Sequence, residues 1–67
     1  MRPEDWIDDF AARLGVEPPD PTTVETLLDL AGTAAHASER TAAPIACYLV
    51  GLSGRPVAEA AELADEV

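Results

Sequence analysis

Apolar positions along the chain fall into four groups separated by three breaks. In the first, Trp6, Ile7, Phe10 and Leu14 recur at i, i+1, i+4 and i+8, the stripe of an amphipathic helix. Pro3 suits the first helical position, where the N–H it lacks would have no partner in any residue. Glu4 and Asp5 follow where the helix dipole favours negative charge. Asp9 and Arg13 are spaced for an i, i+4 pair on the polar side. Gly15 is placed to end the helix in a left-handed cap, with Val16 turning back toward Phe10 or Ala11.

"VEPPDP" is the clearest break, because its prolines forbid a continuing helix and stiffen the connection. Two starts for the second helix remain open. Thr22 and Glu25 have capping-box spacing, and Asp20 stands directly before Pro21. Val24, Leu27, Leu28, Ala31, Ala34, Ala35 and Ser38 share one face; Glu25, Asp29, Thr33, His36 and Arg40 share the other. The small residues of the first face allow a neighbouring helix axis to approach to roughly 8–10 Å. Gly32 costs about 1 kcal/mol of helix propensity relative to alanine, and marks either close packing or no requirement at all.

The third group contains "IACYLVGL", Ile45 to Leu52, a run without a charge in a chain that is 25% charged. Thr41 is its predicted cap, with Pro44 tolerated in the first turn. Ile45, Tyr48, Leu49 and Leu52 form one face, and Ala43, Ala46, Cys47 and Val50 form another nearly opposite. A helix apolar on every side is one that is buried on every side. A buried strand is the competing reading, but no second strand exists to pair with it. The expectation is therefore a central third helix, with Trp6, Phe10, Leu14, Leu27 and Leu28 covering Ile45, Tyr48, Leu49 and Leu52. Gly51 and Gly54 are read as its breakers. The fourth group places Val57, Ala60, Ala61, Ala64 and Val67 on one face, a thin cover for the far side of the third helix, and its last turn is expected to fray. The fold class is all-α: a small four-helix bundle with the third helix central, one domain over residues 1–67.

Composition changes this picture at one point. A chain of 67 residues buries only about 60% of the surface its unfolded form exposes, and a core of this size rarely supplies more than about 3–5 kcal/mol. Cys47 is the only cysteine and His36 the only histidine, so neither a disulfide nor a Cys/His zinc site can staple the fold. Unusually regular helix packing, or association with another chain, remains. A homodimer is expected, formed by Ala46, Cys47 and Val50 with Val57 and Ala61 of the fourth helix; the alternative is a monomer whose fourth helix folds tightly over the third. Thirteen acids against four arginines and no lysine give a formal net charge of −9. That balance argues against nucleic acid and against an anionic membrane surface as partners. No apolar run approaches the ~20 residues of a membrane span, and "MRPEDWIDDF" lacks the apolar core of an export signal. A cytoplasmic location is expected.

The chain offers little catalytic chemistry. Glu4, Asp5, Asp8 and Asp9 read as a solvated helix face. Asp29, His36 and Arg40 make a remote candidate polar site, but helical spacing brings no nucleophile to His36. Cys47 lies inside an apolar run, where a thiol is usually buried and inert. "GLSGR" is too short for a phosphate loop. Acyl carrier proteins carry Asp-Ser-Leu at the start of their second helix, whereas this region reads "PPDPTTVETLL". No catalytic residue, metal or cofactor is predicted.

Two blocks together carry a resemblance: "EDWIDDFAARLGVEPP" and "LLDLAGTAAHASERTAAPIACYLVGLSG". They resemble a family of small helical domains of unknown function from high-GC, actinobacterial-type bacteria. The matching positions include Asp5, Trp6, Leu14, Gly15, Leu27, Leu28, Asp29, Leu30, Ala31, Ala35, His36, Arg40, Pro44, Leu49, Val50 and Gly51. Thr41 departs from the proline usual there, and Cys47-Tyr48 from a common threonine-phenylalanine. The resemblance implies a link to molybdenum cofactor biosynthesis, since such domains occur alone or fused to the guanylyltransferase that makes the guanine dinucleotide form. It implies a non-catalytic accessory module with such a nucleotidyltransferase as partner. The alternative, from charge alone, is an acidic regulator that occupies a basic surface on a partner protein.

Overall fold

The computed structural model describes all 67 residues. Four helices follow one another, α1 (Pro3–Leu14), α2 (Pro21–Ala37), α3 (Ala42–Ser53) and α4 (Val57–Ala64), with no strand.

The helix ends follow local chemistry. Gly15 takes a left-handed φ of 80°. Its N–H donates to the Ala12 carbonyl at 3.2 Å, and the Val16 N–H donates to the Ala11 carbonyl at 3.0 Å. This crossed pair is the Schellman closure, and only a residue without a Cβ adopts that φ freely. At α2, Asp20 rather than Thr22 is the cap. Its Oδ1 accepts the Thr23 N–H at 2.7 Å, and Pro21 occupies the first helical position. Thr41 precedes α3 but makes no side-chain capping bond. Gly51 lies inside α3 and does not break it; Gly54, at φ 71°, does. After Ala64 the chain closes in turns, with the Glu66 N–H donating to the Leu63 carbonyl at 3.1 Å.

The Thr23 backbone N–H, and then its hydroxyl, hold the Asp20 carboxyl below its ordinary value of 3.8. A carboxylate with a depressed folded pKa contributes stability above its unfolded value, and that contribution is lost as pH falls through the lowered one. Asp20→Asn should keep the cap and lose the titration. Acid melts of the two chains should therefore diverge below about pH 4, with the aspartate form losing more helicity than the asparagine form. Parallel acid melts would remove the cap from the account of acid sensitivity.

Packing centres on α2, which carries both α3 and α4 against it. α1 makes no comparable packing. Its first turns lie beside the N-terminal half of α2, where Ile7 shares a groove with Val24 and Leu28. Only Ala11, Leu30 and Ala60 are buried. Leu30 is the most enclosed, at 2% exposure. It lies outside the face expected for α2, because α2 is packed on two sides and its half-buried residues are Thr23, Val24, Thr26, Leu27, Ala31, Gly32, Thr33, Ala34 and Ala35. Leu28, expected in the core, is exposed.

The place expected for α3 needs correction. Ile45, Tyr48, Leu49 and Leu52 are 61%, 67%, 55% and 70% exposed, and no stripe from α1 or α2 covers them. The half-buried side of α3 is the opposite one, Ala42, Ala43, Ala46, Cys47 and Val50. α4 sets its alanine face against α2. Small side chains from α2, α3 and α4 thus meet around Leu30, while Ile45, Tyr48, Leu49 and Leu52 point away.

Gly32 supports no close approach. A Cβ built there meets nothing within 4 Å. Gly32→Ala should therefore raise stability by about 0.5–1 kcal/mol through helix propensity alone. A denaturant midpoint that moves down would show a hidden contact at this position.

Candidate functional site

The large apolar side chains gather on two open surfaces. On α1 the side bearing Ile7 and Ala11 turns toward α2, and Trp6, Phe10 and Leu14 are left beside it. Trp6 is 54% exposed. Its ring lies 5.0 Å from that of Phe10, tilted by 35°. The acids Glu4, Asp5, Asp8 and Asp9 occupy much of the remaining α1 surface, and the Asp9–Arg13 pair lines a small depression directly beside Trp6 and Phe10.

The second surface begins at the exposed face of α3 and runs into a groove of about 500 Å³. The groove lies between the C-terminal end of α2, α3 and the end of α4. Its floor is small and apolar (Ala34, Ala37, Ala42, Ala46 and Ala64), its wall is Ile45 and Leu49, and Glu39 is its only charged side chain. The alanines that bring α3 close to α2 also leave this groove shallow and wide.

The interface residues expected from sequence are already partly covered within the chain. Ala46, Cys47 and Val50 are half-buried on the side of α3 opposite its exposed face, and Val57 and Ala61 are half-buried on α4. Sequence reasoning placed the open face of α3 inside and the packed face outside. The lost signal was side-chain size: with alanines available on every helix, axes come closest along the alanines.

Of the remote polar residues, Asp29 and His36 do line one shallow depression of about 730 Å³, together with Asp65. Arg40 does not join them. α2 ends at Ala37, so the helical spacing between His36 and Arg40 is broken. Arg40 forms no ion pair, whereas Arg2 pairs with Glu4 at 3.1 Å, Arg13 with Asp9 at 3.8 Å, and Arg55 with Glu59. The single cysteine is a half-buried free thiol. No group of three or more His, Cys, Asp or Glu side chains stands close enough to hold a metal ion. No helix is long and apolar enough to cross a membrane.

One family model matches the chain, described as Domain of unknown function (DUF6457), and it spans residues 2–67. No curated protein matches the chain, and no solved structure does.

Proposed function

The chain belongs to that DUF6457 family, and on this premise we propose that it is a helical interaction module with no catalysis of its own. The observation that carries this reading is the open apolar surface: Trp6, Phe10 and Leu14 on α1 and Ile45, Tyr48, Leu49 and Leu52 on α3 all face outward. Exposed apolar side chains gathered on each of two surfaces of so small a chain mark sites of interaction. The process it serves is molybdenum cofactor biosynthesis, as an accessory to a nucleotidyltransferase that forms the guanine dinucleotide derivative. Support for that process comes from the resemblance of the "EDWIDDFAARLGVEPP" and "LLDLAGTAAHASERTAAPIACYLVGLSG" blocks alone. Affinity purification from a bacterium that carries the chain should recover such an enzyme, and deletion should lower the dinucleotide cofactor. Recovery of no such enzyme, with unchanged cofactor in the deletion strain, overturns the assignment.

The net charge favours a second reading. Thirteen acids give a net charge of −9, and three of the four arginines are already tied to carboxylates. Such a surface suits an acidic regulator that sits on a basic protein. The two readings separate by ionic strength. A charge-driven complex weakens steeply with salt, and an apolar one does not.

A further inference from the structure

The area this chain leaves open exceeds what a folded monomer of its size leaves open. It exposes 5354 Å², against about 4,000 Å² expected for a monomer of this mass. The excess is roughly 1,300 Å² per chain, and two chains losing that much would bury an area in the range of obligate dimers, about 2,000–5,000 Å² in total. The radius of gyration, 12.2 Å, is likewise larger than the roughly 11 Å of a closed domain of this length.

We propose that a second copy of the chain covers this surface by a two-fold exchange, in which the Trp6–Phe10–Leu14 stripe of each α1 lies in the α2–α3–α4 groove of its partner. The excess area sets the size of the occupant. The surface shapes set its form, since a stripe of large side chains meets a groove floored by alanines and walled by Ile45 and Leu49. Donor and acceptor lie at different ends of α2 and do not compete for one surface of the chain. α1 stands at the N-terminal half of α2, and the groove opens at its C-terminal end. The exchange sets each donor stripe on the other chain's groove, so the same contact forms twice. Such an isologous contact closes on itself. With three buried residues per chain, folding needs its cover whenever the chain is made, and a second copy is the one partner always present then. In the dimer α3 sits between its own α2 and the partner's α1, the interior place that its all-round apolar surface calls for. The inference stands independently of the cofactor assignment above.

Trp6 is the only tryptophan and reports directly on the donor stripe. The full chain in ample salt should sediment as a dimer. Its tryptophan emission should shift to the blue and lose access to a soluble quencher as the dimer fills. A chain that stays monomeric at high micromolar concentration overturns the proposal and leaves the surface to a different protein. A dimer in which Trp6 stays open to the quencher overturns it too, in favour of pairing through α3 alone. Phe10→Asp spoils the donor and Leu49→Asp spoils the acceptor. Each should weaken the dimer more than about a hundred-fold, because each buries unpaired carboxylates. An equimolar mixture of the two variants retains one intact donor and one intact acceptor, and should associate where neither variant does alone. A mixture that stays monomeric at the same total concentration counts against the exchange, whatever helicity the separate variants keep.

Discussion

Leu30→Ala should unfold the chain, whereas Leu28→Ala, two residues away on the same helix, should scarcely affect it. Leu30 is 2% exposed and Leu28 is 67% exposed. Truncating a buried leucine costs about 2–5 kcal/mol, the removed methyl groups and the cavity together. A core of this size supplies only about 3–5 kcal/mol, so the cost is comparable with the whole stability. Leu30 occupies the arc of α2 between its two packing partners, and no other large side chain is enclosed to the same degree. Truncation of an exposed leucine normally stays within about 0.5 kcal/mol. Far-ultraviolet circular dichroism of both variants, at one protein concentration, makes the comparison. Equal losses from the two substitutions would show that Leu28 is packed as firmly as Leu30.

What was legible in the chain was whatever short-range chemistry decides. Gly15 announces its left-handed closure because only glycine is free to adopt it, and the prolines of residues 18–21 allow no helix to run through. The stripe on α1 and the alanine face of α4 also follow from spacing alone. The cap of α2 was undecided because Asp20 and Thr22 both satisfy the same N-terminal rule. Asp20 prevails because the residue after it is Pro21, already fixed in helical φ with no N–H to satisfy. The faces of α3 were read in reverse for a different reason. Periodicity says which residues share a face but not which face is inside, and the assumption that the largest side chains are buried filled that gap. In this chain Ala43 and Ala46 bring α3 against the alanines of α2, so Ile45, Tyr48, Leu49 and Leu52 are left open. The candidate polar site failed at a helix end. Arg40 stays with His36 only if α2 continues, and α2 stops at Ala37.

Folding itself should depend on protein concentration, and in a direction that salt reveals. If the second copy supplies most of the missing burial, the folded state is the dimer, and its stability is inseparable from the amount of chain present. A thousand-fold dilution then removes about 4 kcal/mol from the dimer, as much as the whole core of a chain this size supplies. Helicity should fall on dilution, and the thermal midpoint should rise with each increase in concentration. Charge works against the pairing, since each copy carries −9 and the acids of α1 flank the stripe that must dock. Screening shortens that repulsion to about 10 Å at 0.1 M salt and about 3 Å at 1 M. Added salt should therefore raise the midpoint, and should raise it most in dilute solution, where association limits folding. An isolated helical chain stabilised by its own surface ion pairs behaves oppositely. Arg2–Glu4, Arg13–Asp9 and Arg55–Glu59 would weaken with salt, and dilution would change nothing. Thermal melts across concentration and salt separate the two cases, and a midpoint independent of concentration would show that three buried residues suffice for a lone chain to fold.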